Sequence, residues 1–177
     1  MQKKILITLC GLLLVGCASQ NKQDVFVTKQ DLLGEWNCTT QYPEMDLVTV
    51  DNLTIHQDGS LFNEGVMINH NVFVYGVEQK GTWQLNGNAL TYRMPTNKVT
   101  RKHSDKVIAL LAKDKNLKSA EEKLFKLYSS PPSTPEGELI DLMIIGRGKR
   151  PADNREFLLL EQKIDTHRFG NVCYRMD

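Results

Sequence analysis

The chain lacks most of the signals that announce a function directly. Neither charge dominates: 22 Lys and Arg stand against 21 Asp and Glu, a formal net of +1. Lys3 and Lys4 are the only charged residues among the first sixteen, and without them the balance is 20 to 21, a net of −1. A near-neutral domain has no basic footprint for a phosphate backbone, so no nucleic acid is expected as a partner. Histidine is sparse and scattered, at His56, His70, His103 and His167, with no pair at metal-ligand spacing. Neither a metal nor another cofactor is expected. The chain has no Gly-x-Ser-x-Gly nucleophile elbow. Gly146-Arg-Gly-Lys149 lacks the spacing of a phosphate loop and the Ser or Thr after its Lys, and reads as part of a solvated basic hairpin loop over residues 146–154. Carboxylates such as Glu35, Asp46 and Asp51 cannot be paired from sequence. These absences point away from an enzyme. Long apolar runs are also missing: residues 5–15 form one, broken by Thr8, and it is too short to span a bilayer with ease.

That run follows Met1-Gln-Lys-Lys, and a basic start before a short apolar core is the pattern of a secretory signal. Its end, Leu14-Val15-Gly16-Cys17, resembles the bacterial lipobox. The resemblance implies that residues 1–16 are a signal peptide removed by the lipoprotein signal peptidase. It also implies that the Cys17 sulfur carries diacylglycerol, with the new amino group acylated as well. Several acyl chains anchor durably where one does not, so the membrane is an expected partner through Cys17. In Gram-negative lipoproteins an Asp after the cysteine favours the inner membrane. Ala18 and Ser19 stand there instead, which implies outer-membrane anchoring, with the domain on the periplasmic side. Residues 17–28 read as a short polar tether, and about a dozen extended residues reach roughly 40 Å.

Of the four cysteines, Cys10 lies inside the signal and Cys17 is the lipidation site. Cys38 and Cys173 remain, and two leftover cysteines in an exported protein suggest a disulfide. The alternative is a pair of buried free thiols.

The remaining sequence is dominated by short strand patterns. Residues 81–93 read as a β-hairpin: Trp83 and Leu85 enter a turn at Asn86-Gly87-Asn88, and Leu90 and Tyr92 leave it with the alternation of a half-buried sheet. Trp36 and Cys38 share one face, as do Leu53 and Ile55. Residues 61–62, 66–68 and 72–75 read as further short strands, with Asn69-His70-Asn71 as polar punctuation. Residues 139–145, 156–161 and 171–176 supply the second half. Residues 100–129 break the pattern and read as two short amphipathic helices. Val107, Ile108, Leu110 and Leu111 form one apolar stripe. A capping-box pattern at Ser119-Ala-Glu-Glu122 opens the second helix, and Pro131, Pro132 and Pro135 stop it. Such an insert flanks the sheet, forms a lid, or offers a docking surface.

Gly34-x-Trp36 and the run Gly-Thr-Trp83 to Gly-Asn-Ala-Leu-Thr resemble the lipocalin-like (calycin) families, including small bacterial lipoproteins of that kind. The resemblance covers most of residues 32–175. It implies a mainly β fold, an antiparallel up-and-down barrel of about eight strands over residues 29–177, with the helical insert at 100–129 between strands. It also implies that Gly34, Trp36 and Trp83 close the barrel, with Arg175 packed on Trp36 through a cation–π contact; Arg168 is the alternative. Two functions follow as expectations. One is a non-enzymatic binding module holding a small apolar ligand such as a lipid. The other is an interaction module for an envelope protein, acting as an enzyme inhibitor or an assembly accessory.

Overall fold

The computed structural model describes residues 25–176. The expected signal peptide, Cys10, Cys17 and most of the tether lie outside the described residues. A four-residue helix, α1 (Lys29–Leu32), is followed by β1 (Gly34–Tyr42), β2 (Leu47–Ile55), β3 (Ser60–Asn69), β4 (Phe73–Asn86), β5 (Ala89–Met94) and β6 (Lys98–Arg101). Two helices, α2 (Asp105–Lys113) and α3 (Lys115–Tyr128), then precede β7 (Glu138–Lys149), β8 (Glu156–Ile164) and β9 (His167–Arg175). The ladder runs β3-β2-β1-β9-β8-β7-β5-β4, and β4 returns to β3. Every pairing is antiparallel. The protein is therefore mainly β, a closed eight-stranded up-and-down barrel with the helical insert between β6 and β7. Closure gives each of the eight wall strands a partner on both sides, and β6 pairs with β4 alone. The expected fold class is what the chain adopts.

The sequence pattern errs where the barrel interior turns polar. Residues 61–62 and 66–68 are one strand, β3, because Asn63-Glu64-Gly65 between them continues the ladder. Residues 72–75 and the Trp83 arm likewise join into the fourteen-residue β4. The stretch Gly146-Arg-Gly-Lys149 is not a loop: it is the end of β7, paired with β8 past a register shift between Ile144 and Gly146. The hairpin turn at Gly87 and the punctuation at His70 and Asn71 stand as expected, all three with positive φ.

The insert also begins later than its apolar pattern suggests. Residues 98–101 form β6, which extends the β4 ladder beyond the end of β5, opposite Tyr75 to Glu78. The second helix does not open at Ser119. It opens at Asp114, whose carboxylate accepts hydrogen bonds from the Asn116 and Leu117 amides at 2.9 and 3.0 Å. An N-cap carboxylate satisfies amides that have no partner within the helix, so Asp114 outcompetes the later motif.

Helices α2 and α3 pack on Phe73 and Tyr75, which share the inward set of β4 with the cavity-lining Val77 and Gln79, and Phe73, Tyr75 and Val107 form an apolar cluster against Leu111, Leu124 and Phe125. A polar clasp reinforces it. Glu121 of α3 is 2% exposed and accepts from Arg101 Nε and Nη2 at 2.8 and 3.1 Å. His103 Nδ1 accepts from the Val74 amide at 3.1 Å, which places the ring proton on Nε2, 3.1 Å from Glu121 Oε1. Burial pushes the Glu121 carboxyl up, and the hydrogen bonds from Arg101 and His103 more than reverse this, so the carboxyl titrates below its usual range.

Candidate functional site

The two ends of the barrel differ. At one end the interior is solid. Trp36, Leu53, Ile55, Leu61, Trp83 and Leu90 belong to a single buried cluster. The expected closure residues meet here. Trp36 is 2% exposed, and its indole donates to the Leu32 carbonyl at 2.8 Å. The Arg175 guanidinium lies 4.3 Å from the Trp36 ring, a cation–π distance. It also donates to the Asp31 and Leu33 carbonyls at 2.7 and 2.6 Å and to Glu156 at 2.6 Å. Gly34 has φ +107°, which favours glycine, and a Cβ there would stand 3.2 Å from Arg175 Nη1 and crowd that guanidinium. Trp83 donates to the His56 carbonyl at 2.9 Å. Arg168, the alternative to Arg175, pairs instead with Glu161 at 2.6 Å on the surface. Val27, within the expected tether, is buried in the same cluster.

Cys38 and Cys173 are directly opposed across β1 and β9 and form the expected disulfide. They sit one alternation above the Trp36–Arg175 pair and mark the level where the packing ends.

Above them the barrel is hollow, with a cavity of about 480 Å³. Its wall changes character. Thr40, Asp51, Asn63, Gln79, Gln162 and Asn171 all face it, each on the inward set of its strand. They are tied to one another. Asn63 Nδ2 donates to Asp51 Oδ1 at 2.9 Å and to Gln79 Oε1 at 3.0 Å. The Tyr42 hydroxyl donates to Gln162 at 2.8 Å, and Asn171 Nδ2 to Thr40 at 2.7 Å. Gly65 stands opposite Asp51 in the β2–β3 register, and a Cβ on it would lie 2.6 Å from Asp51 Oδ1. The missing side chain is what makes room for the carboxylate. Burial pushes the Asp51 carboxyl up against hydrogen bonds from Asn63 and Thr49. Burial, aided by the Asp51 charge, raises the Tyr42 phenol to about 12.

The mouth has an apolar side that belongs partly to the insert, beside Ser130, Ser133 and Glu138. Leu127, Tyr128, Pro131 and Pro132 line it, facing Met67 and Met94. Asn97 Nδ2 donates to the Tyr128 carbonyl at 2.8 Å and fixes this segment to the turn between β5 and β6. The prolines expected only to stop a helix therefore form one side of the cavity entrance.

None of the sequence-level site residues except Cys38 lines this cavity; Gly34, Trp36, Trp83 and Arg175 close the opposite end. Asp51 was in view as an unpaired carboxylate, and its alternation with Leu53 and Ile55 was a usable sign that it faces inward. Asn63, Gln79, Gln162 and Asn171 carried no such sign, because polar residues in strands ordinarily face water. Among the described residues no group of three or more His, Cys, Asp or Glu could hold a metal, and no helix is long and apolar enough to cross a membrane. No family model matches the chain and no curated protein matches it in sequence.

Proposed function

We propose that this is a non-enzymatic binding module whose barrel cavity takes a small lipid-like ligand, held at the bacterial outer membrane by a lipid on Cys17. The observation that carries the proposal is the half-filled barrel. Side chains pack one end solid, and the other retains about 480 Å³, within the few hundred to about a thousand Å³ usual for small-molecule sites. A mouth with an apolar side above a polar interior suits a ligand with an apolar portion and a polar group. Binding without turnover is favoured by the state of the buried imidazole–carboxylate pair. Both nitrogens of His103 are engaged, by Val74 and Glu121, and neither residue lines the cavity. The pair clasps the insert and has no free nitrogen to act as a base.

A ligand that binds only the folded state must raise its melting temperature. In a panel of single-chain amphiphiles with anionic, neutral and cationic head groups, at least one class should therefore raise Tm in a concentration-dependent way. The reading fails if none does. The competing role, docking an envelope protein, is favoured by Ile108 and Leu110, which α2 leaves 53% and 45% exposed. Crosslinking from Lys106 in cells that captures one dominant envelope protein, with no amphiphile shifting Tm, would favour it.

A further inference from the structure

We infer that the polar group of the ligand is an amine, carried as an ammonium, seated against Asp51. The inference rests on the cavity being the binding site and adds the chemistry of what enters it.

The first ground is an account of donors and acceptors. Several donors of the polar interior are spent within the wall: Asn63 Nδ2 on Asp51 and Gln79, Tyr42 Oη on Gln162, Asn171 Nδ2 on Thr40, and Asn97 Nδ2 on Tyr128. Acceptors are left over. Asn63 is 5% exposed and its Oδ1 has no donor in the protein; Asn97 Oδ1 has none either. The Asn63 amide cannot simply be turned round, because Asp51 Oδ1 needs a donor and the Nδ2 group supplies it. Asp51 itself can accept at both oxygens. A ligand bearing several N–H groups would find these acceptors waiting.

The second ground is charge. Two carboxylates, Asp51 within and Glu138 at the rim, line the cavity, and among the described residues no Lys, Arg or His does. A half-buried carboxylate without a cation is a poor arrangement for stability alone, since a charge withdrawn from water needs a partner. Elsewhere in the protein Glu121 has Arg101, and Glu156 has Arg175. Asp51 has only the neutral Asn63 and Thr49. Gly65 makes room for that carboxylate, and no cationic side chain lines the cavity beside it. A fatty-acid carboxylate would meet repulsion here, and an alcohol would gain a hydrogen bond without charge assistance. An ammonium at the end of an apolar chain offers three donors and the missing charge, and its chain has Leu127, Pro131 and Met94 to pack against.

The full chain, reconstituted in phosphatidylcholine nanodiscs, should be titrated by calorimetry with hexylammonium, hexanol and hexanoate, each referenced to empty discs. A charge-assisted hydrogen bond to a half-buried carboxylate should make hexylammonium bind about tenfold or more tighter than hexanol, with hexanoate weakest. In the near-isosteric Asp51→Asn variant the advantage over hexanol should shrink to about twofold or less. Hexanoate binding as tightly as hexylammonium, or an undiminished preference for hexylammonium in Asp51→Asn, overturns the amine and leaves the cavity as a site. Binding of none of the three above empty discs overturns the cavity reading as well.

Discussion

Replacing both Cys38 and Cys173 by Ser should cost the barrel much of its stability. The bridge closes a loop of 135 residues between the first and last strands. In the chain-entropy model that constraint on the unfolded chain is worth about 5 kcal/mol at 25 °C. The native state does little to offset the loss. The β1–β9 ladder runs only from Trp36 opposite Arg175 to Thr40 opposite Asn171, whereas β1 pairs with β2 along its whole length. The seam the disulfide crosses is thus a short one. For a domain of this size about 5 kcal/mol corresponds to a fall in Tm of roughly 10–20 °C. Urea denaturation and thermal melts of oxidised wild type and the double variant should agree on that loss. Peptide mapping without reductant should first establish that the wild type is linked. A linked wild type and a double variant differing by about 1 kcal/mol or less would refute the reasoning, because constraint of the unfolded chain would then contribute little.

Further outcomes follow from other contacts. Glu121→Ala should destabilise by about 2 kcal/mol, less than a fully buried pair because Arg101 is 42% exposed and can rehydrate. Its hydrogen exchange should quicken in α2 and α3 and not in the β4–β5 hairpin; uniform change would contradict a local clasp. The two interior carboxyls should pull in opposite directions with pH. Glu121 ionises more readily folded than unfolded, so its contribution is complete above 4.5 and is lost as pH falls through its lower folded value. Asp51 holds its proton more tightly when folded, so its contribution is present below 3.8 and is lost as pH rises through its raised value. Asp51→Asn should therefore raise Tm at pH 7, and a fall would contradict the assigned shift. Gly34→Ala should cost about 1–3 kcal/mol by thermal melt, from its positive φ and the crowding of Arg175. Labelling cells with a palmitate analogue should mark the wild type and not Cys17→Ser.

The closed end was legible because its physics is local. Trp36 and Cys38, Leu53 and Ile55, and Trp83 and Leu85 each alternate as core-facing residues must, and Gly34 before Trp36 supplied the resemblance that placed Arg175 upon it. The hollow end was not legible by the same rule. Asn63 and Gln79 face inward, so β3 and β4 read as broken strands although their ladders are continuous. Alternation identifies an interior only where that interior is apolar. The cavity also joins residues as distant as Tyr42 and Gln162, and a contact 120 residues apart is set by strand order and not by any local pattern. The insert is legible from its apolar stripes, but residues 98–101 pair as β6 before it, and its second helix is capped at Asp114, ahead of the motif at Ser119. That its last turn and prolines line a cavity follows only from where β6 leaves the wall.

A ligand held in the space above the disulfide should stay with the protein through gentle release from its membrane. Native mass spectrometry of the protein released from its own envelope tests this most directly, beside a variant in which Thr49→Trp fills the cavity from β2. The wild type should carry a reproducible added mass of a small amphiphile, and the filled variant should fold and lack it. A wild type with no added mass, or the same mass retained by the filled variant, would contradict the account.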